Sequence, residues 1–169
     1  MEYFVTSIKE ITSKRRAVYV DYEHVFALYA GELRKFGIKE QSYISEDVYD
    51  EIMTVLSKRA VIRGMNLLKN KDYTRAEFIK KLKDGYYPDK AVDAALEYID
   101  RYGYIDDDRY ARNYVAFKAP VKSRRIIEQK LKEKGVSADI IACVCDEYYS
   151  DNGECELNQV CLLYTSDAA

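Results

Sequence analysis

The sequence predicts a mainly α-helical protein, built from tandem three-helix repeats and preceded by a small N-terminal antiparallel β segment. From Ser45 onward, apolar residues recur at helical spacing. The first forty residues are instead dense in β-branched and aromatic side chains, with short polar breaks between them. Cap and core residues also recur at an offset of 49 residues, which is typical of a repeat protein. The composition suits a packed core, because 48% of the 169 residues are hydrophobic and 33% are charged.

The predicted β segment occupies residues 1–44. Its β-rich runs are 4–11, 16–22 and 25–29, and they predict a sheet of two or three strands. A short helix over 31–36 follows, and Gly37 is well placed to end it.

The first predicted repeat occupies residues 45–103. Its three helices run from the N-cap Ser45 to about Lys69, from Thr74 to near Gly85, and from Pro88 to Gly103. Thr74 and Glu77 have the spacing of a capping box. The apolar series of the first helix comprises Val48, Ile52, Val55, Leu56, Ala60, Ile62, Met65 and Leu68.

The second predicted repeat occupies residues 104–152, with helices over 106–118, from Ser123 to Gly135, and from Ser137 onward. The 49-residue offset places Thr74 on Ser123, Phe78 on Ile127, Leu82 on Leu131 and Val92 on Ile141. Residues 153–169 offer only part of one further helix, about 154–163, so we expect a partial or truncated third repeat there.

The net charge of −2 conceals an uneven distribution. Residues 1–135 hold all 27 basic residues and 22 of the 29 acidic ones, a net charge of +5. The two basic windows are 56–85 and 101–135, and each can attract a polyanion or an acidic protein surface. A merely solvated helix face explains either window equally well when it is taken alone.

No motif for catalysis or for a cofactor is found, so we expect a protein that is not an enzyme and uses no cofactor. The lone His24 lies at a predicted strand edge or turn, which favours a structural role. Asp106, Asp107 and Asp108 begin a predicted helix, where capping explains them better than a cation site does. The four cysteines, Cys143, Cys145, Cys155 and Cys161, have spacings that do not suit zinc, and we expect them to be reduced and structural.

No apolar run approaches the ~18 residues of a membrane span, and the first residues do not resemble a signal peptide. We therefore expect a cytoplasmic protein with no membrane partner. We also expect the protein to be a monomer.

Basic residues recur at equivalent places in the two repeats, and this pattern predicts an extended positive surface for a long anionic partner. The candidate binding residues are Arg75, Lys80, Lys81 and Lys83 in the first repeat, and Arg109, Arg112, Lys118, Lys122, Arg124, Arg125, Lys130, Lys132 and Lys134 in the second. Lys130 and Lys134 lie four residues apart and share a helix face away from Ile127 and Leu131.

The run 103–111, Gly-Tyr-Ile-Asp-Asp-Asp-Arg-Tyr-Ala, resembles a motif of the RecX family, the bacterial regulators of the RecA recombinase. The flanking helices over 74–82 and 125–135 resemble the matching helices of that family's first two repeats. The similarity extends from about Ser45 to Tyr149, and the N-terminal strands resemble a β segment that some members carry.

The resemblance implies a non-enzymatic modulator that binds the RecA filament on single-stranded DNA and inhibits its ATP hydrolysis and strand exchange. It would act in recombinational DNA repair and the SOS response. Two departures from the family pattern stand out. The glycine of the first repeat, Gly85, comes one residue earlier than Gly135, which we expect to alter only a helix end. Residues 153–169 do not supply a third full repeat, so we expect weaker filament binding than a chain with one would have.

Two other functions remain open at this point. One is a helical DNA-binding module or transcriptional regulator, although the helix from Ser137 is acidic where a recognition helix would be basic. The other is a scaffold for an unknown protein.

Overall fold

The computed structural model describes residues 2–151 and confirms the predicted fold class: seven helices and a small antiparallel sheet lie in this part of the chain. The expectations for 153–169, including those for Cys155 and Cys161, lie outside the described residues. The strands are β1 Glu2–Glu10, β2 Arg15–Val20, β3 Glu23–Tyr29 and β4 Ser42–Ser45. The helices are α1 Ala30–Lys35, α2 Glu46–Leu68, α3 Arg75–Asp84, α4 Asp89–Tyr102, α5 Asp107–Lys118, α6 Arg124–Glu133 and α7 Ala138–Asp151.

The sheet has four strands in the order β3-β2-β1-β4, and every neighbouring pair is antiparallel. The expectation of two or three strands was therefore wrong by one. β4 has only four residues, of which only Ile44 is buried, so no alternating apolar pattern marks it. Its partner is the distant start of β1, where Tyr3 pairs with Ile44, and such long-range pairing leaves no trace in local periodicity.

The long helix α2 begins where the sequence predicts, because the side chain of Ser45 accepts a hydrogen bond from the backbone N–H of Val48 at 3.4 Å. Its buried side is formed by Ile52, Met53, Leu56, Ala60, Gly64 and Leu67. Ile62 belongs to the predicted apolar series but lies 63% exposed, because it follows Ala60 by about half a turn. Gly64 is required where the ring of Phe78 packs: a Cβ there would lie 2.6 Å from the ring.

The residues matched by the 49-residue offset are buried alike. Phe78, Leu82 and Val92 are buried at the positions that correspond to Ile127, Leu131 and Ile141. The start of α4 differs slightly from the prediction, since Pro88 is the N-cap rather than a first-turn residue. Ser123 occupies the N-cap of α6 but makes no side-chain capping bond.

The helices α3 and α6 end with the same hydrogen-bond pattern. The backbone N–H of Tyr87 donates to the carbonyl of Leu82, and that of Val136 donates to the carbonyl of Leu131. The left-handed residue that this pattern needs is Gly135 in one case, with φ +79°, and Tyr86 in the other, with φ +62°. The expectation that the early glycine would alter the helix end was therefore wrong. The termination is preserved, and Tyr86 adopts the conformation that usually favours glycine.

The chain divides into two compact units by its internal contacts. Among the described residues, unit 1 runs up to Asp72 and includes Phe78–Ile105, and unit 2 comprises Tyr73–Glu77 and residues 106–151. The core of unit 2 is formed by Ala111, Val115, Ile127, Leu131, Val136, Ile141, Val144 and Cys145, with Tyr110 and Tyr114 packed against it.

Candidate functional site

The acidic run at the start of α5 performs structural tasks, as the sequence predicts. The Asp106 carboxylate caps the helix by accepting a hydrogen bond from the backbone N–H of Arg109 at 3.0 Å. The Asp107 carboxylate accepts one from the backbone N–H of Arg75 at 2.8 Å, and Asp108 pairs with Arg112 at 2.6 Å. The three carboxylates therefore contact different partners.

Two arginines of the candidate set are each held by two acids. Arg112 bonds Asp108 and Glu147, and Arg124 bonds Glu128 at 2.6 Å and Asp146 at 2.5 Å. In each pair of acids, one belongs to the arginine's own helix and the other to α7. The hydrogen bonds that the two guanidinium groups donate to these carboxylates raise the pKa of both groups above their ordinary range. These arginines tie α7 to α5 and α6, so they are committed to the unit's own structure.

Lys134 is also committed to a contact within unit 2. Its ammonium lies 2.8 Å from a Glu77 carboxylate oxygen and 5.7 Å from the centre of the Tyr110 ring. Burial acts to lower the pKa of Lys134, but the contacts with Glu77 and Tyr110 outweigh it and raise that pKa. Lys130 and Lys134 were predicted to share a face, but they contact different acids, because Lys130 pairs with Glu133 at 2.7 Å.

The backbone beside Lys134 is fixed by the one polar residue that is fully buried among the described residues. The Thr74 hydroxyl donates a 2.5 Å hydrogen bond to the carbonyl of Lys134 and accepts one from the backbone N–H of Glu77 at 3.2 Å. This second bond is half of the predicted capping box. The Glu77 carboxylate, which would complete the box, is directed to Lys134 instead.

Four other candidate cations of unit 2 have no such acidic partners among the described residues. Lys118, Lys122, Arg125 and Lys132 form no ion pair with an acid anywhere in residues 2–151. The ammonium of Lys118 lies 4.5 Å from the centre of the Phe117 ring. These four cations are therefore available to an anionic partner.

The candidate residues of α3 are divided between the units. Arg75 belongs to unit 2, whereas Lys80, Lys81 and Lys83 belong to unit 1. Lys83 pairs with Asp89 at 2.9 Å. Lys80 and Lys81 are exposed, and neither has an acidic partner within the described part of the chain.

Sequence reasoning did not identify two concave regions. In unit 1 a cavity of about 570 Å³ is lined by His24, Tyr49, Tyr86 and Lys83 among others, and His24 contacts the rings of Tyr19 and Tyr86 edge-on. In unit 2 an apolar groove of about 560 Å³ lies between α6 and α7. Its floor includes Val136, Ile141 and Ala142, and its rim includes Arg125 and Lys132. The floor residues follow α6 or lie in α7, whereas the rim cations lie in α6, so no local sequence pattern marks the groove.

The exposed apolar residues of unit 2 were also missed. Phe117, Val121 and Ile126 are 74%, 76% and 44% exposed, and all three lie between the end of α5 and the first turn of α6. Each lies in the basic window 101–135, where the sequence pattern indicated charge rather than exposed apolar side chains.

The two cysteines among the described residues are free thiols with raised pKa values. Cys143 and Cys145 are both free thiols, the first exposed and the second buried. The hydrogen bond with Glu147 raises the pKa of the Cys143 thiol, and burial raises that of Cys145. Within residues 2–151, no cluster of His, Cys, Asp and Glu side chains is arranged to hold a metal ion. In the same part of the chain, no helix is both long enough and apolar enough to cross a bilayer.

Fold and surface together define a class of protein: a helical repeat protein, preceded by a small sheet, that carries unpaired cations on its surface. The family model for the second three-helix domain of RecX matches residues 106–144. The regulatory protein RecX of Caldanaerobacter subterraneus subsp. tengcongensis is 29% identical over 152 residues, which cover 89% of this chain and 77% of that protein. The chain is thus similar to the RecX regulatory proteins along most of its length, and residues 106–144 match the family model for their second three-helix domain.

Two further relatives and two crystal structures are also similar to this chain. The regulatory protein RecX of Clostridium perfringens is 30% identical over 73% of this chain and 59% of its own length. That of Listeria welshimeri is 25% identical over 86% of this chain, which spans only 55% of the relative's length. A crystal structure of regulatory protein RecX superimposes with a TM-score of 0.55 at 23% identity, covering 86% of this chain and 74% of that one. The crystal structure of RecX from Lactobacillus salivarius superimposes with a TM-score of 0.57 at 19% identity. The superposition covers 68% of this chain and 79% of that one. At these identities the two crystal structures show the shared fold.

Proposed function

We propose that this protein is a non-enzymatic regulator that binds the RecA filament on single-stranded DNA and inhibits its ATPase and recombinase activities. The observation that carries the proposal is the similarity to proteins named regulatory protein RecX, which in one relative extends over 89% of the chain. The proposal includes action in the cytoplasm as a monomer, within DNA repair by homologous recombination and the SOS response.

The distribution of unpaired cations supports this proposal. Exposed lysines without acidic partners among the described residues lie on α3 of unit 1, and further unpaired cations lie on the turn after α5 and on α6 of unit 2. A filament of protein on DNA is a long, regular partner with phosphates and acidic surface, and such a partner is attracted by charges spread over several helices.

Within the thirteen candidate binding residues, the ion pairs suggest an order of importance. We expect Lys80, Lys81, Lys118, Lys122, Arg125 and Lys132 to contribute most to filament binding. Arg112, Arg124, Lys130, Lys134 and Lys83 already have acidic partners, so a filament would have to compete with those partners.

The proposal is tested by the ATP hydrolysis of a RecA protein on single-stranded DNA, titrated with this protein at two salt concentrations. We expect inhibition that weakens as salt rises, because screening reduces the attraction between the cations and the filament. A variant with Lys118, Lys122 and Arg125 changed to Gln should inhibit less. The matched control changes Lys14, Lys39 and Lys69 of unit 1 to Gln, which removes the same charge elsewhere, and should inhibit as the unmodified protein does. Folded protein that leaves hydrolysis unchanged at both salt concentrations would contradict the proposal.

The alternative of a helix-turn-helix transcriptional regulator gains no support from α7. That helix carries Asp139, Asp146 and Glu147 and no basic residue, and the last two acids are engaged with Arg124 and Arg112. A helix that inserts into the major groove would place those charges against phosphates and base edges.

A further inference from the structure

The turn between α5 and α6 exposes three apolar side chains that lie close together in the sequence. Phe117, Val121 and Ile126 lie within ten residues of one another in sequence, at the end of α5, in the turn, and in the first turn of α6. The turn itself is ordered by hydrogen bonds from the backbone N–H groups of Val121 and Lys122 to the carbonyl of Lys118. We call residues 117–126 the turn surface. An ordered surface with three exposed apolar side chains is typical of a binding site.

The turn surface is also positively charged without compensation. No acidic residue occurs between Asp108 and Glu128 in the sequence. Of the cations in the turn surface, Arg124 is held by Glu128 and Asp146, whereas Lys118, Lys122 and Arg125 have no acidic partner among residues 2–151. A partner that covers this surface must therefore supply negative charge as well as apolar area.

The corresponding residues of the first repeat show that the turn surface has changed its chemistry. At the 49-residue offset, Ala76 corresponds to Arg125 and Glu77 to Ile126. Ala76 packs so closely on Gly135 that a Cβ added to Gly135 would overlap the Cβ of Ala76. Glu77 forms an ion pair with Lys134. Arg125 is too large for such a contact with a glycine, and Ile126 cannot pair with a lysine. The turn surface is therefore not built to make the contact that its counterpart makes.

From these observations we propose that the turn surface binds single-stranded nucleic acid, with a base stacked on Phe117 and phosphates contacted by Lys118, Lys122 and Arg125. A single strand offers flat apolar bases and negative charge in alternation, which matches an exposed aromatic ring beside unpaired cations. The ammonium of Lys118 lies over one face of the Phe117 ring, 4.5 Å from its centre, so a base would stack on the opposite face with this cation close to the nucleotide. This inference rests on the proposed function in taking the strand to be that of the filament, but the surface itself can be tested without RecA.

The test measures binding of the full chain to a fluorescently labelled 20-nucleotide oligo-dT by anisotropy. Stacking of one base is worth at least about a fivefold change in affinity. We expect Phe117→Leu to weaken binding by at least that factor and Phe117→Tyr to keep it, because tyrosine preserves the ring and leucine preserves only the apolar character. The triple change of Lys118, Lys122 and Arg125 to Gln should reduce the slope of log affinity against log salt by about 2, at about 0.7 for each phosphate contact.

The matched control is Tyr22→Leu, which removes an aromatic ring that is 82% exposed on the β2–β3 turn of unit 1 and should leave binding unchanged. Because both rings are exposed, neither substitution should unfold the protein, and far-ultraviolet circular dichroism verifies this. Binding by Phe117→Leu within twofold of the unmodified protein would overturn the inference. So would a Phe117→Leu variant that binds the oligonucleotide normally but no longer inhibits RecA, because the surface would then contact protein.

The outcomes separate this inference from the proposed function. If the unmodified protein inhibits RecA while Phe117→Leu binds the oligonucleotide normally, the proposed function stands and the inference fails. If the unmodified protein does not inhibit RecA but Phe117→Leu loses oligonucleotide affinity, the inference stands and the proposed function fails.

Discussion

The contact between Gly135 and Ala76 provides a sharp test of the structure, since it combines two costs that can be separated. Gly135 follows the end of α6 with φ +79°, a conformation in which an alanine costs about 1 kcal/mol. Its hydrogen also faces the Cβ of Ala76, which a new methyl group would overlap. Overpacking of this kind costs about 1–3 kcal/mol. Gly135→Ala should therefore lower the free energy of unfolding by about 2–4 kcal/mol.

A double-mutant cycle isolates the overlap. Ala76→Gly alone should cost at most about 1 kcal/mol, the usual penalty for glycine near a helix start. In the double variant the overlap is removed, so the two changes should cost about 1–3 kcal/mol less together than the sum of their separate effects. Gly103→Ala is the control for the backbone alone, because Gly103 has φ +61° and a Cβ there would meet no atom within 4 Å.

The assay is urea unfolding followed by circular dichroism at 222 nm. Additive effects in the cycle, together with equal costs for Gly135→Ala and Gly103→Ala, would contradict the predicted overlap with Ala76. That result would mean that Ala76 does not lie against the end of α6.

Three further predictions concern unit 2. Thr74→Val should lower the free energy of unfolding by about 2–3 kcal/mol, because it removes a buried hydroxyl and leaves the carbonyl of Lys134 without its 2.5 Å hydrogen bond. Thr74→Ser keeps the hydroxyl and should cost clearly less. Urea unfolding distinguishes the two variants. Glu147→Gln should lower the raised pKa of Cys143 and speed its alkylation by iodoacetamide at pH 8, measured with the cysteines in 153–169 changed to serine; an unchanged rate would exclude the described bond. Arg112 and then Cys143 lower the pKa of Glu147 below its unfolded value, so this group stabilises the fold above about pH 4.3 and the contribution is lost as pH falls through the folded pKa. Arg112→Gln should therefore weaken the dependence of unfolding on pH between about 5 and 3, and a dependence that stays the same would contradict the pairing.

Local chemistry made much of the fold predictable. Ser45 and Asp106 cap helices in the structure because each stands directly before an amphipathic run, and both residue types favour that position. The 49-residue offset identified Leu82 and Leu131 as core residues, because an amphipathic helix buries the same face each time it recurs.

What escaped prediction depends on contacts between residues distant in sequence. β4 pairs with the start of β1 across some forty residues, and its own four residues carry too little pattern to mark it. The left-handed conformation of Tyr86 is set by the helix end that the repeat maintains, so residue type alone pointed to the neighbouring Gly85.

The sequence predicts which basic residues the candidate surface contains, but not which of them are free of acidic partners in the fold. A count of basic residues cannot distinguish Arg124, which is held by Asp146 of α7, from Arg125, which has no acidic partner among the described residues. That distinction depends on which way each side chain leaves α6. The same holds for Phe117, because its residue type alone does not reveal that the fold leaves its side chain 74% exposed.

Inhibition of the filament through these cations is tested by RecA ATP hydrolysis on single-stranded DNA, titrated with this protein and with its Lys118, Lys122 and Arg125 to Gln variant. We expect inhibition by the unmodified protein that weakens with salt, and weaker inhibition with a smaller salt dependence by the variant. Equal inhibition by the two proteins would show that these cations are not used, and an absence of inhibition by folded protein at low salt would contradict the proposed function itself.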